Sequence, residues 1–144
     1  TWIEYSAAVC AAGTEEIPVA YLIGSDNKSG PDVYKMSDSG ECRKHLGELL
    51  KIYLKGRRSL VPFFPKSSFA FAEEYGKNRS ADKAIDKAAG EYVNYKKSRP
   101  DGADLYIERC YHKLDPFAPG AVREQFIELS RAVYGPVIKY QEKA

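Results

Sequence analysis

This chain of 144 residues contains little of what enzyme active sites are usually assembled from. Only two histidines are present, His45 and His112, and no serine or cysteine spacing ties either to a nucleophile–base–acid arrangement. His45 sits beside Leu46 on an expected helix and His112 precedes Lys113 near a loop, so both read as surface or half-buried imidazoles. Neither G-x-x-x-x-G-K-[ST] nor G-x-G-x-x-G occurs, which excludes the two common phosphate-cradling loops and gives no reason to expect nucleotide binding. The three cysteines, Cys10, Cys42 and Cys110, are unclustered, odd in number and without a C-x-x-C pair. That pattern argues against a disulfide framework, zinc or an iron–sulfur cluster, and fits reduced thiols in a cytoplasmic protein. No apolar run approaches the roughly 20 residues of a membrane span. A signal peptide, an initiator methionine and any lead-in before Thr1-Trp2-Ile3-Glu4 are also missing. Residues 1–144 are therefore expected to be a single domain cut from a larger protein.

Hydrophobic residues make up 44% and charged residues 29%, the balance of one ordinary globular domain. The net charge of +2 conceals a strong asymmetry. Residues 1–42 carry Lys28 and Lys35 against seven carboxylates, Glu4, Glu15, Glu16, Asp26, Asp32, Asp38 and Glu41. Residues 43–66 invert this, with Arg43, Lys44, Lys51, Lys55, Arg57, Arg58 and Lys66 against Glu48 alone. A third segment, 77–99, adds seven more cations. Such clustering can present a phosphate-facing surface, although solvated helix lysines produce the same pattern.

Local signals give a mostly helical α+β order. Thr1 and Glu4 have capping-box spacing, and residues 1–12 read as a helix with Trp2, Tyr5, Val9 and Ala12 on one face. Residues 17–25 are rich in β-formers and 33–36 return after turn chemistry at 26–31, so 17–36 are expected to form a β-hairpin. Ser39 is expected to cap a second helix, ending at Gly56, with Leu46, Leu49, Leu50 and Tyr53 as its buried stripe. Residues 60–65, Leu-Val-Pro-Phe-Phe-Pro, are too proline-rich for a helix and read as an extended apolar clamp across the core. Ser67 or Ser68 is expected to cap a short helix and Ser80 a longer one. Two more helices follow, over 103–111 and 121–140, the last with a kink or break at Pro136.

Helix, strand, strand, helix is the opening order of metal-dependent nucleases, which need an acid on one strand and an acid-x-Lys on the next to share Mg²⁺. The only [DE]-x-Lys is Asp26-Asn27-Lys28, in the turn and ahead of Asp32, while residues 19–24 hold no carboxylate. An active nuclease using Asp26, Lys28 and Asp32 is thus one alternative, with its parts in the wrong order. A stand-alone single-stranded DNA binder is another, with Phe63-Phe64 as a stacking platform beside Arg57, Arg58 and Lys66. Their spacing and flanking prolines favour packing between helices instead.

Residues 49–56, Leu-Leu-Lys-Ile-Tyr-Leu-Lys-Gly, followed by Leu60-Val-Pro-Phe-Phe-Pro-Lys-Ser-Ser68, resemble the C-terminal domain of the exodeoxyribonuclease V gamma subunit family, RecC. Val61 is a mild departure. Trp2-Ile3-Glu4 and the closing pattern, Asp115-Pro-Phe and then Phe126, Leu129, Ala132, Val133, Tyr134 and Pro136, are similar too. The resemblance implies a small β-hairpin or sheet packed by helices, like a degenerate PD-(D/E)XK (restriction-endonuclease-like) core. It also implies a C-terminal fragment of a larger, non-catalytic subunit of the RecBCD helicase–nuclease, acting in double-strand break repair by homologous recombination. Partners would be RecB, RecD and DNA, with no membrane. No catalytic or metal residue and no cofactor is expected here, since ATP and Mg²⁺ are used by other subunits. Lys51, Lys55, Arg57, Arg58 and Lys66 are the candidate DNA-side residues.

Overall fold

The structure is a computed structural model, and it describes residues 2–12, 18–22, 32–35, 39–94 and 99–143. Among the described residues six α-helices form the body: α1 (Trp2–Ala12), α2 (Ser39–Gly56), α3 (Pro65–Asn78), α4 (Ala81–Val93), α5 (Leu105–Tyr111) and α6 (Ala121–Lys139), with a 3-10 turn at Asp101–Ala103. Local chemistry explains several ends. The Ser80 hydroxyl accepts from the Lys83 N–H and opens α4, while the Asp104 carboxylate accepts from the N–H groups of Tyr106 and Ile107 and opens α5. Pro65 occupies the first turn of α3, where a missing N–H costs nothing. Ser67 and Ser68 lie inside that turn and are not its cap, which falls at Phe64. Pro136 neither breaks nor ends α6, which continues to Lys139.

The expected fold class needs correcting. The chain is built of helices, and no β-hairpin or sheet layer of a PD-(D/E)XK core organises it among the described residues. Among the described residues, extended pairing is limited to three three-residue segments, Ala20–Leu22 (β1), Asp32–Tyr34 (β2) and Gln141–Lys143 (β3). They pair antiparallel in the order β1-β2-β3, Tyr21 opposite Val33 and Val33 opposite Glu142. Strands this short build no sheet layer, although Ala20 of β1 packs against Tyr5, Val9, Cys42 and Tyr140. Within 17–36 the described pairing is that of β1 with β2, three residues each. Most of that segment, with the Thr1 half of the capping box, lies outside the described residues.

Burial is helix against helix instead. Phe64, Phe71, Ala84, Ile85, Ala88, Tyr111, Phe117 and Phe126 form the larger core, between α3, α4, α5 and α6. The extended 60–64 segment supplies its centre: Phe64 is 1% exposed, with ring centroids of Tyr92, Tyr111, Phe126 and Phe117 at 5.1, 5.1, 5.8 and 6.2 Å. A smaller core joins Tyr5 and Val9 of α1, Cys42 of α2 and Tyr140. Gly102 is required at its turn, because a Cβ there would lie 2.8 Å from the Tyr92 carbonyl oxygen.

Candidate functional site

The cations singled out from sequence fall into two places. Lys51, Lys55, Arg57 and Arg58 are exposed on the last turns of α2 and the turn after it, and none forms an ion pair among the described residues. Lys66 is on the first turn of α3, where its ammonium donates to the Arg99 carbonyl and ties α3 to the segment before the 3-10 turn. Between the α2 cations stands apolar surface. Leu50 is 58% exposed, Tyr53 62%, Leu54 46% and Leu60 56%. The stripe expected to be buried on α2 is thus only half covered: Cys42 and His45 face inward, Leu46 and Leu49 are intermediate, and Leu50 and Tyr53 face water.

Phe64 is not available as a stacking platform, since it lies at the core centre, and half-buried Phe63 stacks on Tyr134 with centroids 5.7 Å apart. Asp26, Lys28 and the Asp32 side chain lie outside the described residues. Among the described residues no group of three histidine, cysteine, aspartate or glutamate side chains could hold a metal ion. Burial pushes the Cys42 thiol up to about 11, and it donates to the Ser6 carbonyl at 3.0 Å, so it stays protonated and unreactive at neutral pH.

His45 is 4% exposed, neither ring nitrogen has a hydrogen-bond partner among the described residues, and its ring meets Trp2 edge-on at 6.1 Å. Burial lowers its pKa below the usual 6.5, opposed by the Glu48 charge. Glu41, Lys44, Glu48, Lys139 and Tyr140 line the 250 Å³ cavity beside it. Because the folded pKa is the depressed one, the unfolded chain takes up its proton first as pH falls through 6.5. Stability is therefore full above pH 6.5 and is lost below it, down through the folded pKa. Thermal unfolding followed from pH 7.5 to 5.5 is expected to show a falling midpoint. His45→Leu should flatten that slope; an equal slope in the variant would place its origin elsewhere.

Sequence reasoning missed a site between α3 and α6. Small residues, Ala72 and Gly76 on α3 and Ala132 and Gly135 on α6, leave a groove of 830 Å³ there. Tyr75 stands in its wall, packed on one side against Phe71 (5.8 Å, 11° between rings). The guanidinium carbon of Arg131 lies 5.0 Å and that of Arg79 6.0 Å from the Tyr75 ring centroid. Arg79 ends α3 in the left-handed conformation, φ 55° and ψ 17°, its N–H donating to the Tyr75 carbonyl at 2.9 Å. No local signal marks this site, because its two arginines belong to different helices.

A family model described as the RecC C-terminal domain matches residues 1–76, slightly more than half of the chain. The match takes in α1, α2, the proline-rich clamp and most of α3, and leaves the closing pattern of residues 115–136 outside it. No curated protein matches the chain.

Proposed function

The chain belongs to the RecC C-terminal domain family, and on that premise we propose that it is a non-catalytic assembly and strand-handling domain. A RecC domain is a part of the RecBCD complex, exodeoxyribonuclease V, and so belongs to DNA repair. In the proposed reading residues 1–144 form one domain at the C-terminal end of that subunit. It contributes to subunit assembly with RecD and to DNA strand handling in the cytoplasm, with RecB, RecD and DNA as partners, during repair of double-strand breaks by homologous recombination. ATP and Mg²⁺ serve the other subunits, and this domain needs no cofactor. No helix among the described residues is long and apolar enough to cross a membrane.

The observation that supports this reading is the half-covered face of α2. Leu50, Tyr53, Leu54 and Leu60 expose apolar side chains in one short stretch, rimmed by Lys51, Lys55, Arg57 and Arg58. An apolar centre with a charged rim is the anatomy of a protein contact, and the rim suits an acidic partner surface or a DNA path beside it. Lys66 is assigned to the DNA side with these four. The paired substitution Leu50→Ser and Tyr53→Ser is expected to weaken assembly of RecC with RecB and RecD by about 30-fold or more, as loss of a buried anchor does. Its melting temperature should stay within about 2 °C of the parent, because both side chains already face water. Undiminished assembly, measured by co-purification and by titration, would remove α2 as the contact.

A further inference from the structure

We propose that the groove between α3 and α6 binds the phosphodiester backbone of a single DNA strand through Arg79 and Arg131. This deepens, and rests on, the strand-handling reading above.

Four cations and two carboxylates line the groove. Two of those cations are engaged: Lys77 pairs with Glu73 at 2.9 Å and Lys139 with Glu41, outside the groove, at 2.9 Å. Arg79 and Arg131 have no carboxylate partner and no side-chain hydrogen bond among the described residues; each is placed over the Tyr75 ring alone. An aromatic ring orders a guanidinium from below and leaves its N–H edges for a planar or tetrahedral oxyanion. Two such groups over one ring give a pair of preorganised donors with no internal acceptor. Glu128, the groove's remaining carboxylate, forms no ion pair among the described residues and would set one wall that a phosphate avoids.

The backbone at Arg79 is the independent observation. A helix C-terminus in the left-handed region is ordinarily a glycine or asparagine, since any other side chain is strained there. Arginine occupies it nonetheless, the single described non-glycine residue with positive φ, and reaches Tyr75 from that position. Strain held at a residue whose side chain stays exposed is a mark of a binding role. A single strand is the ligand because the groove is one cleft of 830 Å³ with one pair of unpaired guanidinium groups, matched to the successive phosphates of one backbone. Phe71 already covers Tyr75, so the contact is to phosphate and not by base stacking.

The test is titration of a fluorescent oligothymidylate with the full chain, from about 50 to 200 mM salt. Arg79→Gly and Arg131→Gln are each expected to weaken binding about tenfold and to lower the salt slope by about one. Arg79→Gly relieves the backbone strain, so its melting temperature should hold or rise; if it falls, Arg131→Gln carries the test. Parental affinity in both arginine variants would overturn the groove. If a Lys51, Lys55, Arg57, Arg58 to alanine variant lost binding at the same time, strand handling would stand on α2. No binding by the parent chain at 50 mM salt would overturn the strand-handling reading itself. Displacement of the oligonucleotide by pyrophosphate at equal phosphate concentration would mark an isolated anion pocket and overturn the strand assignment.

Discussion

Phe64→Ala is expected to destabilise the chain by about 3–5 kcal/mol, the range for removing a fully buried aromatic ring. Against a total of about 5–15 kcal/mol for a domain, that is a large fraction. The reason is position. Phe64 belongs to no helix, yet its ring touches Tyr92, Tyr111, Phe117 and Phe126, which lie on α4, α5, the loop before α6 and α6. Its backbone N–H is also held, by the Ser68 hydroxyl at 3.2 Å, so the segment cannot slide to refill the space. Chemical denaturation at pH 7.5 would measure the loss. Phe63→Ala is the control: its ring stacks on Tyr134 and is half-buried, so about 1 kcal/mol is expected. If Phe64→Ala cost no more than Phe63→Ala while abolishing oligonucleotide binding, the ring would be a stacking platform after all.

The contrast between these two phenylalanines shows what the sequence made legible. Prolines on both sides of Phe63-Phe64 excluded a helix and argued for an extended clamp, and the clamp is there. Helix ends carried by local chemistry were legible for the same reason: Ser80 opening α4 and Gly56 closing α2 act through neighbours in the chain. The architecture was less legible. Ile17 to Ser25 had strand composition, but composition says nothing of how far a strand extends. Helical packing around Phe64 took the core that a sheet was expected to share. On α2, periodicity marked Leu50 and Tyr53 as one apolar face with Leu46 and Leu49, and that much is correct. What periodicity cannot say is how much of that face its own chain covers, and here Leu50 and Tyr53 stay exposed. The α3–α6 groove was hidden more deeply. In the sequence Arg79 is one cation of the basic segment 77–99, and nothing about Arg131 sets it apart from the other cations. Only the packing of Gly76 and Gly135 brings them over one tyrosine ring.

Asp101→Ala is expected to cost about 3 kcal/mol, a large effect for a residue outside every α-helix. Asp101 is 7% exposed, and one carboxylate oxygen accepts from both the Ser67 N–H at 2.8 Å and the Ser67 hydroxyl at 2.9 Å. Ser67 is itself fully buried in the first turn of α3, where backbone N–H groups lack helical acceptors. The carboxylate therefore caps α3 from a distant segment and places negative charge at its positive end. Truncation strands two buried donors, each worth about 1–3 kcal/mol when left unpaired. Asp101→Asn keeps an acceptor oxygen and loses only the charge, so about 1 kcal/mol is expected. Ser67→Ala removes one donor with its hydroxyl and should also be mild. The order Asp101→Ala far above Asp101→Asn and Ser67→Ala, read from denaturation midpoints, is what a cap requires. A buried acid in a chain first read as nuclease-like invites a different reading, as a relic of metal chemistry. On that reading the alanine variant would gain stability, because an unpaired buried charge would be gone. The two readings predict opposite signs for one substitution, and the hydrogen bonds from Ser67 favour the cap.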